Sequence, residues 1–392
     1  MHDLADRHDS PPYLLQGRIP SLDGLRGIAI LLVLLAHVCQ THRFPITGPL
    51  KQFFLLGGVG VEIFFVLSGF LITTLMLREI DGRGRLSIRH FYRRRILRIV
   101  PAYACFLLAV AALVLIGQSE LDSRQWAAAL TYTVNFLRHP TWEIGHAWSL
   151  SIEEHFYLLW PLVMGFGRPD TARRIAMAVI AIGFALRWAI LTAIPQYTLM
   201  AELWTFTRLD GIAFGCFLAL LAHDVLWRQR LDVLAARPAL LGLAGVALLG
   251  SMWMSNISGK FAVGLAFTIN AAAISMLTWA AIRYRHSLVG RLLNSRALSA
   301  IGVGSYSLYL WQQMFLNHNK SGFPYTFPQN LAFAGLAACM SYWLVERPFL
   351  RLKDRLQDRA STSEPSCTTP ASLPTPLGTA PPAHTPESLA RV

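Results

Sequence analysis

The chain predicts an all-α polytopic membrane protein of about ten transmembrane helices without a soluble domain. Three observations carry that prediction. Hydrophobic residues make up 54% of the 392 and charged residues only 15%, giving a mean hydropathy of +0.43, far from the composition of soluble globular chains. The apolar stretches are continuous and roughly twenty residues long, whereas membrane barrels show short alternating segments. The net charge of +13 is concentrated in alternate loops, which is the positive-inside asymmetry of a membrane protein and not the footprint of a nucleic-acid partner.

At about twenty apolar residues per span, helices are expected near 24–41, 55–77, 99–117, 146–166, 174–194, 206–222, 237–255, 261–282, 298–317 and 328–346. They form a transmembrane domain over 18–357. The polar segment 1–17 lacks the basic start, apolar core and cleavage site of a signal peptide. Residues 358–392 are rich in Ser, Thr and Pro and are expected to be a disordered cytoplasmic tail. The richest basic stretch, Arg78 to Arg98, holds eight arginines and reads as a cytoplasmic loop; both termini are expected on that side. Cys39, Cys105, Cys216 and Cys339 lie in apolar runs and Cys367 in the tail, with no metal-ligand or disulfide spacing; no metal is expected.

The first span, LDGLRGIAILLVLLAH, sets Arg26 and His37 eleven residues apart. Eleven steps of about 100° nearly complete three turns, so both side chains occupy one helix face about 16 Å apart along the axis. Ionisable groups at that depth are costly and mark functional positions by default. In the second span, Gly57, Gly58, Gly60, Ser68 and Gly69 suit close helix packing, while Glu62 requires a partner. HFYRRRILRIVP then places Arg93, Arg94, Arg95 and Arg98 at the entrance to the third span. Such a cluster satisfies topology, or its guanidinium forks seat a phosphorylated ligand.

The fourth span, HAWSLSIEEHFYLLWP, sets His146, Ser149 and Glu153 on one face and turns Glu154 and His155 to neighbouring ones. TRLDGIAFGC brings Arg208 and Asp210, which are expected to form an internal ion pair. The ninth span carries SYSLYLWQQ, whose Tyr306, Tyr309, Trp311, Gln312 and Gln313 suit either an interfacial belt or stacking and hydrogen bonding to a sugar.

Together with FFVLSGFLI, RLDGIAFG and VERPF, these strings resemble the membrane-bound acyltransferase 3 family over roughly residues 18 to 350. The family includes bacterial O-acetyltransferases of polysaccharides, lipopolysaccharide and related sugars. The resemblance implies a ten-helix core in the bacterial inner membrane. It implies acyl-CoA, with acetyl-CoA the expected form, as a cytoplasmic co-substrate; no bound cofactor is implied. A carbohydrate hydroxyl, in some cases lipid-linked, is the implied acceptor. It makes Arg26 and His37 essential and carries the Arg-rich motif onto Arg93, Arg94 and Arg98, the SGF motif onto Ser68, Gly69 and Phe70, and the WSLxxE motif onto Trp148, Ser149 and Glu153. Many members have His where this chain has Gln312, and the soluble esterase-like domain of some members is not expected here.

The expected activity is transfer of an acyl group, foremost acetyl, from cytoplasmic acyl-CoA to a hydroxyl of a surface or secreted carbohydrate. His37 would act as general base or as the acyl-accepting nucleophile. Glu153 would orient or compensate its imidazole, and Arg93, Arg94 and Arg98 would bind the donor. Asp23, Ser68, Trp148, Ser149, Arg208, Asp210, Tyr309 and Trp311 are candidates for acceptor contacts or structural polarity. The rival from another class is a transporter of a lipid-linked sugar or small anion, since midplane charges serve transporters as well.

Overall fold

A computed structural model describes residues 19–362 of the chain. It divides into two compact units, Met1–Lys353 and Asp354–Val392. The expected N-terminal segment 1–17 lies outside the described residues, as does the expected tail from residue 363 onward; residues 358–362 belong to a final helix, Arg347–Thr362.

Among the described residues the first unit contains helices and no strand. The helices that fall on the expected spans are α1 Pro20–Val38, α2 Val59–Arg83, α3 Ile88–Leu115, α4 Ala147–Phe166, α5 Pro169–Ala193, α6 Thr205–His223, α7 Pro238–Ile257, α8 Phe267–Arg283, α9 Ser305–Phe315 and α10 Gln329–Ser341, with Val225–Ala235 and shorter helices between them. Seven helical stretches of the described chain are long and apolar enough to cross a membrane, which makes this a multi-pass membrane protein. The other three regions differ for local reasons. Glu153, Glu154 and His155 lower the hydropathy of α4. The expected ninth span is broken at Gly304 into Arg296–Val303 and α9. The thirteen-residue α10 continues as a π-helical turn, Tyr342–Glu346.

The arginine-rich stretch is not a loop. α2 runs to Arg83 and ends on Gly84 in the left-handed conformation, which a glycine adopts without steric cost. α3 already begins at Ile88, where the Ser87 hydroxyl accepts the His90 N–H. Most of the arginines are therefore fixed on helix faces, with only residues 84–87 between.

Small residues let the central helices meet backbone to backbone. Gly69 of α2 lies against the Ile212 carbonyl of α6, and Gly215 of α6 against the Val66 carbonyl of α2, so a Cβ at either would collide with main chain. α6 is thereby held between α2 and α5, while α1 packs on Arg296–Val303. Phe65, Phe106, Ile144 and Ile152 belong to the core beneath these contacts. Gly58, expected in the same packing role, faces open space.

Candidate functional site

A cavity of about 240 Å³ opens among α1, α2, α3, α4 and α9. Its polar lining comes from each of these helices for a reason visible in helical periodicity. α1 contributes Asp23 and Arg26, three residues apart on one face. α4 contributes Ser149, Glu153 and Tyr157 as an i, i+4, i+8 stripe, and Glu154 reaches the same space from the neighbouring face. Ser68 projects from α2, Arg95 and Arg98 from α3, and Ser305, Tyr306 and Tyr309 from α9.

The lining is bonded internally. Arg26 donates from Nη2 to Ser305 Oγ at 3.1 Å. The Tyr157 hydroxyl reaches Glu153 Oε2 at 2.7 Å and Ser68 Oγ at 3.1 Å. Arg95 lies over the Tyr157 ring with its guanidinium carbon 4.8 Å from the centroid. Glu346, at the end of the π turn, accepts the Ser307 hydroxyl at 2.8 Å and stands in electrostatic range of Arg26 and Arg98. Cations and carboxylates thus share one partly enclosed space, where their interactions are stronger than in bulk water.

His37 is not part of that lining. It sits half-buried near the far end of α1, 3.2 Å from Gln313 Nε2 and edge-on to Trp142 with centroids 5.7 Å apart. A continuous set of contacts joins it to the cavity wall. Gln313 Oε1 accepts the His146 backbone N–H at 3.1 Å. The His146 carbonyl accepts the Tyr309 hydroxyl at 3.0 Å, and Tyr309 and Ser149 share a hydroxyl contact of 2.6 Å.

The residues singled out from sequence separate accordingly. Asp23, Arg26, Ser68, Arg98, Ser149, Glu153 and Tyr309 come together at the cavity. Glu153 bonds Tyr157, and no described bond joins it to His37. Arg93 is exposed on α3, and Arg94 pairs with Glu79 of α2 at 2.9 Å. Trp148 stands edge-on to Phe65 at 6.0 Å, and Trp311 edge-on to Phe106 at 6.2 Å.

The expected Arg208–Asp210 pair is corrected. Residues two apart on a helix point in nearly opposite directions, and each finds another partner. Asp210 Oδ2 takes Arg187 Nη1 at 2.7 Å, with both side chains buried, while Arg208 faces Glu62 at 3.9 Å and lies 3.4 Å from the Phe267 ring centroid. Arg187 also donates to the Thr207 carbonyl at 2.5 Å and Thr268 Oγ1 at 2.6 Å. Sequence reading passed over Arg187, although a lone arginine inside an apolar run is itself the signal of a buried partner. It likewise gave no site role to Glu346, and it counted Arg95 in the arginine cluster but not among the donor contacts that the resemblance implies.

The acyltransferase-domain family model matches residues 19–345, which include every residue of this cavity. The chain belongs to the acyltransferase 3 family. O-acetyltransferase OatA of Staphylococcus aureus, in strains NCTC 8325 / PS 47 and COL, is 28% identical over 375 residues, covering 86% of this chain and 57% of the relative. A second protein of strain COL, provisionally described as an O-acetyltransferase, is 26% identical over 359 residues, covering 84% of this chain and 57% of its own length. The chain therefore spans somewhat more than half the length of these relatives. No solved structure matches it.

Proposed function

We propose that this acyltransferase 3 chain is an integral membrane O-acyltransferase that moves an acetyl group from cytoplasmic acetyl-CoA to a hydroxyl of a surface or secreted carbohydrate, lipid-linked or free. The observation that carries the reading is the joining of an arginine-lined cavity to a histidine cluster through Ser149, Tyr309, His146 and Gln313. Guanidinium groups remain charged at any physiological pH and match phosphate geometry, so Arg98, with Arg26 and Arg95, suits the donor's phosphorylated end. The cavity has room for an acyl thioester arm, with the nucleotide outside on the arginine-rich face. Asp23, Ser68, Glu153 and Tyr309 fix the geometry of that space.

The position of His37 toward the other end of α1 supports a role at the acceptor hydroxyl. Acting as a base, it takes the hydroxyl proton while the oxygen bonds the acyl carbon, the carbon–sulfur bond breaks and the thiolate leaves; acting as nucleophile, it holds the acyl group between two such steps. Loop charge supports a topology in which both termini and the Arg83–Arg95 face lie in the cytoplasm of the inner membrane, with ten spans in all. Proteoliposomes of the purified protein, given labelled acetyl-CoA and glycan acceptors, test the reading by mass spectrometry. An added acetyl group on a defined sugar is expected. Carbohydrate movement across the bilayer without acylated product would favour a transporter instead.

A further inference from the structure

We propose that Gln313 is the positioning residue that sets the protonation pattern of His37, holding it as a neutral imidazole with its proton on Nδ1 and its lone pair on Nε2. The inference rests on the reading above that His37 acts on the acceptor hydroxyl. It follows from hydrogen-bond roles alone.

The His146 backbone N–H, 3.1 Å from one terminal atom of the Gln313 side chain, can only donate. That atom is therefore the amide oxygen, and the other is the NH2 group. The NH2 group can only donate, and it faces His37 Nε2 at 3.2 Å, so His37 Nε2 accepts. A neutral imidazole that accepts at Nε2 carries its proton on Nδ1. The same oxygen lies 3.0 Å from His146 Nδ1, so His146 also carries its proton there; His146 Nε2 and His37 Nδ1 are buried without a hydrogen-bond partner, so Gln313 is the group whose bond selects the His37 tautomer. One amide thus sets both rings. Reversing it would turn NH2 toward the His146 N–H in a buried place, and facing donors there forfeit their bonds without water to replace them.

The surroundings hold this arrangement. Trp142 donates its indole N–H to the Gln313 main-chain carbonyl at 3.0 Å and packs edge-on against His37. The groups facing His37 from the neighbouring elements are neutral amides and aromatic rings: Gln312 and Gln313 from α9, Trp142 from the short helix Trp142–Gly145, and His318 beyond the indole with centroids 4.3 Å apart. The ionised groups nearby, Glu143 and Lys320, pair with each other at 3.2 Å. Glu153, expected to orient His37, is bonded to Tyr157. The orienting group is an amide and not a carboxylate, so His37 rests uncharged and an arriving hydroxyl displaces the Gln313 N–H from the Nε2 lone pair.

The test uses the full chain in nanodiscs with 15N-labelled histidine. Ring-nitrogen NMR separates protonated from bare nitrogens, and His37→Asn assigns the His37 signals. In the wild type at neutral pH, His37 is expected to show a protonated Nδ1 and a bare Nε2. In Gln313→Glu, a carboxylate that only accepts moves the proton to Nε2; kcat at neutral pH falls at least about tenfold and the acid limb of the rate profile moves to higher pH, with the donor KM within about twofold. In Gln313→Met, with no amide N–H left on Nε2, His37 is expected to show both tautomers. A wild-type His37 protonated at Nε2, or a ring pattern identical in wild type and both variants, overturns the proposal. A wild type with the expected ring pattern but no acyl transfer would instead refute the acyltransferase reading and leave Gln313 in place.

Discussion

Arg26 and His37 share one face of α1, and the side chains that bond them come from distant parts of the chain. A hydrogen bond between Arg26 and Ser305, or between His37 and Gln313, joins residues more than 270 positions apart, and no local pattern contains it. The arginines divide more instructively. At about 100° per residue, Arg93 points roughly 140° away from Arg98, so periodicity already argues against Arg93 at a common site. Arg94 and Arg95 fall about 40° and 60° to either side of Arg98, a difference too small to choose between them. Glu79 decides it by pairing with Arg94, leaving Arg95 to the cavity. Arg98→Lys and Arg95→Lys are accordingly expected to weaken acetyl-CoA binding by about 1.5–3 kcal/mol, with the loss growing as salt is added, whereas Arg93→Lys should bind as wild type does. Titration calorimetry on the three variants checks this, and equal affinity in all of them would return the cluster to a topological role. His37→Ala should fold and insert normally while losing at least about a hundredfold in acyl transfer, the scale of a general base. Near-normal turnover would remove His37 from the mechanism.

Among the helices, sequence placed the centres well and the interruptions poorly. A hydropathy window cannot see a helix pass from α to π at Tyr342, or break at Gly304, because both changes occur within apolar surroundings. Nor does it see that Gly69 and Gly215 are a reciprocal contact. That contact predicts a steep response: Gly69→Ala and Gly215→Ala should each destabilise the bundle by about 1–3 kcal/mol through overpacking against main chain. Gly58→Ala, which meets open space, should not. Thermal unfolding in detergent separates the three, and equal melting temperatures would contradict the packing described. The buried Arg187–Asp210 pair makes a second test of the same region. Asp210→Asn leaves the arginine uncompensated and should cost about 3–5 kcal/mol. A variant as stable as wild type would show that Arg187 finds adequate partners in Thr207 and Thr268 alone.

Arg26, Arg95 and Arg98 line one cavity, and α1 carries His37 about 16 Å beyond Arg26 along its axis. Composition made the membrane class plain and loop charge supplied an orientation, but the connection between the two ends depends on Ser149, Tyr309, His146 and Gln313, residues of ordinary type whose roles arise only when α4 and α9 meet. Orientation is tested by single-cysteine labelling of intact cells with an impermeant reagent: position 139 should react and position 83 should not, and the reverse pattern would invert the donor and acceptor faces. The account depends most on chemistry passing from one end to the other. The direct measurement supplies labelled acetyl-CoA to one face of oriented proteoliposomes and a carbohydrate acceptor to the opposite face, comparing wild type with His37→Ala. Acetylated carbohydrate from the wild type, with a loss of at least about a hundredfold in the variant, is the predicted result; product that requires donor and acceptor on the same face, or that forms equally without His37, would contradict it.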